Sequence, residues 1–347
     1  MKAAPQKLAV ILFNLGGPDS PEAVAPFLKN LFSDPAIISL PAIARLPIAH
    51  LIAKRRAPVT REIYNHMGGK SPIVQETRAQ ADALERALSS DSVEAKAFIA
   101  MRYWHPFSDG AAQAVKHFNP DKIVLLPLYP QYSTTTTASS LLDWTKAAKK
   151  ARLAASTSRV CCYPWDRGFV AAAAAKIRAA MAGTSPDISY RLLLSAHGLP
   201  KRIIQRGDPY QWQVEQSAAA IVKALDAPQL EPVVCYQSRV GRLEWIGPAT
   251  DAEIQRAGAD NKGVIVAPIA FVSEHSETLV ELDIEYRRLA RECGVPDYRR
   301  AGTVGIHPDF IAGLAALVRR ATEGETVTCG QARICPAAHR ACGYGEP

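Results

Sequence analysis

Short β-branched runs alternate with stretches of helical periodicity along almost the whole chain, and this leaves one broad class open: parallel sheets flanked by helices. The expected strands are Leu8–Leu15, Ala95–Met101, Ile123–Leu128, Arg159–Tyr163, Arg191–Ala196, Pro232–Tyr236, Val264–Ile269 and Arg299–Gly305. They divide into two sets of four. An internal repeat supports the division, because the first strand of each set runs into a turn and a helix, VILFNLGGPDSPEAV in one half and LLLSAHGLPKRIIQ in the other. The third strands compare more closely still, IVLLPLYPQYSTTTTASSL against VIVAPIAFVSEHSETLV. In each, a buried strand ends near proline, an aromatic follows, and a Ser-led polar helix start comes next. The expected fold class is α/β: two similar Rossmann-like domains, each a four-stranded parallel sheet flanked by helices, facing each other across a cleft at their strand C-termini. A chain of 347 residues is too long for one ordinary core. The expected division is residues 1–165, residues 166–305, and a C-terminal helix with a cysteine-rich tail over 306–347. NLGGPDS lacks the G-x-G-x-x-G spacing, which excludes a dinucleotide site of the Rossmann type.

The stretch from Val266 to Leu289 carries the densest chemistry. Its strand is expected to turn directly into a helix at Ser273, with Ser273 as N-cap and Glu274 and Glu277 in the first turn. Leu279, Leu282, Tyr286 and Leu289 form an apolar stripe. Glu277, Glu281 and Glu285 form a separate ridge at i, i+4, i+8 spacing, where like charges repel. Two readings follow. Either the ridge is a solvated acidic face relieved by Arg287 and Arg288, or it is a path for a metal cation or protons with His275 and Glu277 at its head.

At 48% hydrophobic and 21% charged residues, with no apolar run of about 18, the chain is not expected to span a bilayer. The start MKAAPQKLAVILFN has no small-residue cleavage site and reads as a first buried strand, so the expected location is cytoplasmic. A net charge of +8 favours anionic partners, either a membrane surface or a carboxylate-bearing substrate. No basic stripe with interleaved aromatics supports nucleic acid. Between Pro35 and Pro58 the prolines Pro35, Pro41 and Pro47 are expected to break the chain into short pieces, and Ile43, Leu46 and Ile48 give it more apolar surface than a loop needs. These pieces either pack on the sheet or form an exposed apolar lip which, with Lys54, Arg55 and Arg56, would seat the protein on an anionic bilayer. Cys329, Cys335 and Cys342 cluster in the tail, and Cys161 and Cys162 end a strand. Three thiolates with a distant fourth suit zinc or an iron–sulfur cluster.

MRYWHP, YPQYSTTTTASSL, LLLSAHGLP, CYQSRVG followed by WIGPATD, and VAPIAFVSEHSETLVELDIEY resemble, in this order, the signature segments of ferrochelatases, enzymes that insert ferrous iron into protoporphyrin IX. The resemblance runs from about Leu8 to about Val318. It implies that His197 takes the pyrrole protons or meets the metal, that Glu277 acts beside it, and that Glu281 and Glu285 continue the path on a helix widened to a π-helix. It also implies that Leu15, Phe271 and Trp245 line an apolar cleft, while Arg55, Arg56, Tyr64, Ser71, Arg102 and Tyr103 face the ring or its propionates. The family's Asp before His275 is Glu274 here.

Some ferrochelatases hold a 2Fe-2S cluster through three C-terminal cysteines and a fourth further back, and in animal enzymes the cluster accompanies a homodimer contact. Cys329, Cys335 and Cys342 resemble the three. The animal position of the fourth is Thr134 here, so Cys161 or Cys162 must replace it, and on a regular strand only one of the two should point to the cluster. The apolar content and basic end of Pro35–Pro58 lead to the expectation of peripheral attachment to the cytoplasmic face of the inner membrane. A coproporphyrin ferrochelatase and a non-catalytic haem or iron–sulfur protein of the same fold are the alternatives.

Overall fold

The computed structural model describes residues 4–239, 241 and 243–345. Val240 of the CYQSRVG segment therefore lies outside the described residues. Among the described residues nine strands form two sheets. β1 (Gln6–Asn14), β2 (Val93–Met101), β3 (Lys122–Pro127), β4 (Ser156–Cys162) and, late in the chain, β9 (Thr326–Thr328) make the first; β5 (Tyr190–His197), β6 (Leu230–Gln237), β7 (Gly263–Pro268) and β8 (Tyr298–Arg300) make the second. The orders are β2-β1-β3-β4-β9 and β6-β5-β7-β8, all pairs parallel. The first four strands of one sheet and the four of the other thus follow one winding rule, which is the structural form of the repeat.

Burial explains the continuous apolar runs. Ala9 to Phe13 in β1 and Leu192 to Ala196 in β5 are buried without alternation, because helices cover both faces of a parallel sheet. The chain divides into two compact units. The first runs to Cys162 and takes in Leu314–Arg333 and the residues from Gly343; the second comprises Tyr163–Gly313 and Ile334–Cys342. The helix Pro308–Glu323 carries the chain from the second unit back to the first.

Four local expectations need correction. The first sheet has five strands, not four, because β9 pairs with the outer edge of β4; the last strand of the second sheet shrinks to Tyr298–Arg300. The segment after Pro41 is one helix, Ala42–Asn65, running through Pro47 and Pro58. Both prolines sit at exposed positions, as do Ile43 and Lys54 four residues before them, so the carbonyls that lose a partner can meet water. Ala49, Ala53 and Ala57 form its buried stripe, and Ala53 and Ala57 pack with Val24, Phe27 and Leu28 of the helix Val24–Phe32. Finally, no helix starts at Ser273. Helical conformation after β7 begins only at Ser276 and the π-helix at Glu277, while Glu274 is drawn away to Arg300 (3.1 Å) and to the backbone N–H of Thr303 (3.0 Å).

Candidate active site

In the second unit, β5 is central in its sheet and ends at His197, and parallel α/β sheets bind ligands at such strand ends. The turn that follows is tight for a side chain: a Cβ at Gly198 would lie 3.0 Å from the carbonyl oxygen of Gln237 and 3.3 Å from the Trp245 ring. The Tyr210 hydroxyl donates to the carbonyl of His197 at 3.0 Å and fixes the strand end from the other side.

Glu277 begins a π-helix, Glu277–Glu285, whose end is marked by the N–H of Tyr286 donating to the carbonyl of Glu281, five residues back. Residues four apart share a face in either kind of helix, so Glu277 and Glu281 lie on one side of this one. Glu277 Oε2 stands 2.9 Å from His197 Nδ1. Burial of the imidazole favours its neutral form, but the Glu277 charge, the hydrogen bond to it and the Glu281 charge together leave the His197 pKa above its ordinary value. Burial pushes the Glu277 carboxyl up, and the charge of His197 and its hydrogen bond outweigh that and hold it down at about 2. Glu281 moves the other way, raised by burial and by the Glu277 charge. The His197 side chain keeps 38% of its surface, so the pair is open to a substrate.

The arginines do not relieve the ridge. Arg287 binds Asp283 at 2.6 Å and Arg288 reaches only Glu292 at 3.8 Å. What meets the ridge is His197 at Glu277 and a set of hydrogen-bond donors at Glu281, while Glu285 is exposed. His275 is buried edge-on against Phe271, ring centroids 4.5 Å apart, and burial lowers its pKa. Its Nδ1 has no hydrogen-bond partner among the described residues. Trp245 is half-buried, with its Nε1 likewise unpartnered among them.

In the first unit, Arg102 donates to Asp34 at 2.8 Å and lies 3.7 Å from Asp143. Asp34 also accepts the Tyr103 hydroxyl at 2.9 Å and that of Ser139. Tyr103 is wholly buried, so it supports Arg102 through Asp34 and offers no surface of its own. Tyr64 and Ser71 are buried, Leu15 is half-buried, and Arg55 and Arg56 are exposed. Sequence reasoning missed Asp34, which no motif marks, gave no role to Tyr210, Gln237 or Ser238, although the last two lie in CYQSRVG, and placed Tyr286 only in an apolar stripe, whereas its hydroxyl donates to Glu281 at 3.1 Å.

A family model described as Ferrochelatase matches residues 7–322. The chain belongs to the ferrochelatase family. The ferrochelatase of Caulobacter vibrioides is 56% identical over 316 residues, 90% of each chain, and that of Phenylobacterium zucineum is 53% identical over 339 residues, 97% of each. The ferrochelatase of Rickettsia bellii is 43% identical over 337 residues. The enzyme therefore chelates iron into a porphyrin. Among solved structures, SirB from Bacillus subtilis with Fe3+ covers 91% of this chain and 95% of its own at TM-score 0.54 and 13% identity. DR2241 from Deinococcus radiodurans, described as similar to chelatases, covers 92% of this chain and 55% of its own at TM-score 0.50. At such identities the likeness establishes the fold alone.

The cysteines of this ferrochelatase distribute as follows. Cys161 and Cys162 are buried at the end of β4, and the N–H of Cys329, just past β9, donates to the Cys162 carbonyl at 3.1 Å. Cys335 is buried in the second unit, where its sulfur accepts Gln213 Nε2–H at 3.0 Å; Cys342 is half-buried. Among the described residues no three His, Cys, Asp or Glu side chains are grouped as for one metal ion. The β4–β9 register shifts between Val160 and Cys162, a bulge that breaks simple alternation at Cys161. No described helix is long and apolar enough to cross a membrane.

Proposed function

We propose that the substrate is protoporphyrin IX and that His197 with Glu277 removes its pyrrole protons as ferrous iron enters. The observation that carries this reading is the 2.9 Å pair at the end of β5, open to substrate on one side and backed by Glu281 on the other. Metal and protons compete for one small hole in a rigid ring, so a base must act where the nitrogens are exposed. Glu277, kept ionised, raises the proton affinity of the imidazole and orients its Nδ1. Nε2 is then left to face the ring. A proton taken by His197 leaves a cation beside an anion, which stabilises the charged product of the transfer. Glu281 can take a proton in turn, because burial and Glu277 already raise its affinity. Leu15, Phe271 and Trp245 are our candidates for apolar contact with the ring, Arg55, Arg56 and Arg102 for its propionates. Purified protein mixed with ferrous iron and porphyrin, followed by the Soret band, tests this. His197→Ala should abolish insertion while the ring still binds, and turnover above a few per cent of wild type would remove His197 from the role. Coproporphyrin turning over faster than protoporphyrin would reassign the substrate.

Two finer readings rest on separate features. The exposed Ile43 (87%), Leu46 (49%) and Ile48, followed by Lys54, Arg55 and Arg56, support peripheral attachment to an anionic membrane surface. Cys329, Cys335, Cys342 and one of Cys161 or Cys162 are the residues that would hold a 2Fe-2S cluster. The reading rests on the family resemblance and on the N–H donor at Cys335, of a kind that stabilises a ligating thiolate. No step of the reaction is assigned to it.

A further inference from the structure

Glu281 is held by four donors, all within the second unit. Oε1 accepts the N–H of Ser238 at 2.8 Å and the Tyr286 hydroxyl at 3.1 Å; Oε2 accepts Gln237 Nε2–H at 3.1 Å and the Ser238 hydroxyl at 2.5 Å. Two of these come from an unusual backbone. Ser238 has φ +60°, in the left-handed region that a serine enters at a cost, and this conformation turns both its N–H and its hydroxyl onto one carboxylate.

Gln237 is held from behind. It is fully buried, and its Oε1 accepts the Ser195 hydroxyl at 2.9 Å, so its amide can present only N–H to the ridge. Ser195 in turn bonds Thr250 at 2.9 Å, and Thr250 Oγ1 lies 3.3 Å from Cys235 Sγ. Burial pushes the Cys235 thiol up to about 12, so it keeps its proton and the row stays neutral. The same Gln237 amide donates to the Glu277 carbonyl at 3.2 Å, tying the first turn of the π-helix to the carboxylate one turn on.

We infer that Gln237 and Ser238 are positioning residues of the insertion reaction, which hold Glu281 in one orientation behind the His197–Glu277 pair. The inference rests on the reading of that pair as the base. A carboxylate fixed by four donors needs no rearrangement when charge moves at Glu277, whereas a free one would sample rotamers and water. The strain at Ser238 persists because the surrounding bonds to Glu281 determine it.

Ser238→Ala and Ser238→Gly separate positioning from a merely structural role. Both lose the hydroxyl, but glycine adopts φ +60° without strain and alanine does not. Removing one hydrogen bond to a charged group should lower kcat about tenfold in both, with KM for porphyrin within about twofold of wild type. Gln237→Leu should lower kcat at least as much. Thermal midpoints should diverge, with glycine at or above alanine, while kcat does not follow them. Wild-type kcat in Ser238→Gly, or a kcat that tracks the midpoint across the three variants, would overturn the inference. His197→Ala, assayed beside them, fails separately: turnover retained there sinks the base reading, whereas its loss with intact Ser238→Gly sinks only the positioning role.

Discussion

Asp34→Asn should cost the first unit about 3 kcal/mol, although no motif marks the residue. Its carboxylate is 2% exposed and takes the Arg102 guanidinium at 2.8 Å along with the Tyr103 and Ser139 hydroxyls. Removing one partner of a buried ion pair leaves the other charge uncompensated, at about 3–5 kcal/mol. Two features place this case at the lower end: the Arg102 side chain keeps 19% of its surface, and Asp143 stands 3.7 Å from it as a second acceptor. The amide oxygen of asparagine also still serves the hydroxyls. For a body of about 150–250 residues, 1 kcal/mol moves the midpoint by about 2–4 °C, so a fall of about 6–12 °C is expected. Urea unfolding followed by tryptophan fluorescence measures the loss directly. Asp34→Asn combined with Arg102→Leu should recover at least about 1 kcal/mol, because no buried charge is then left alone. A loss below about 1 kcal/mol in the single variant, or a double variant as poor as the sum of the singles, would refute the reasoning.

The His197–Glu277 pair makes stability depend on pH in a definite sense. The raised pKa of His197 gives stability that is full below 6.5 and lost as pH rises through the raised value; the lowered pKa of Glu277 gives stability that is full above 4.5 and lost as pH falls toward about 2. The midpoint gap between wild type and Glu277→Gln should be widest between 4.5 and 6.5 and narrow on both sides, and a gap constant with pH would contradict the ion pair. Replacing Ile43, Leu46 and Ile48 with Ser should release the protein from anionic liposomes without changing its fold, since all three are exposed; unchanged binding would reject the lip. Anaerobically purified protein should carry about two irons and two sulfides per chain beyond any haem, lost in Cys329→Ser, Cys335→Ser and Cys342→Ser. One zinc in their place would reverse the assignment. With a bulge at Cys161, only comparison of Cys161→Ser with Cys162→Ser identifies the fourth ligand.

The seven longer strands were legible because each carries apolar residues that the fold buries, a pattern that survives any detail of packing, whereas the eighth shrinks to Tyr298–Arg300. β9 was not, since Thr326–Thr328 is three residues whose strand character comes from the edge of β4 and not from composition. The prolines of Ala42–Asn65 misled for a related reason: their cost depends on whether water reaches the carbonyls they leave unpaired, which only the fold decides. Spacing put Glu277, Glu281 and Glu285 on one ridge, but i, i+4 spacing reads alike in an α-helix and a π-helix. Arg287 and Arg288 lay close enough in sequence to relieve that ridge, yet Asp283 and Glu292, on their own faces, take them first. Ser273 looked like a cap because nothing local shows that Arg300 draws Glu274 out of the turn.

The position of β9 in the first sheet bears on how the protein is made. β4 is complete once Cys162 has been synthesised, but the strand that covers its outer edge begins only at Thr326. At about 5–20 residues per second, that edge, with Arg159 and Val160 offering unpaired backbone groups, waits on the order of ten seconds or more on the ribosome. The last turns of Pro308–Glu323 join the first unit only in the same late interval. The domain that begins first is therefore the one finished last, and a nascent chain stalled before Thr326 presents an open strand edge that a chaperone, or a second nascent chain, can pair with.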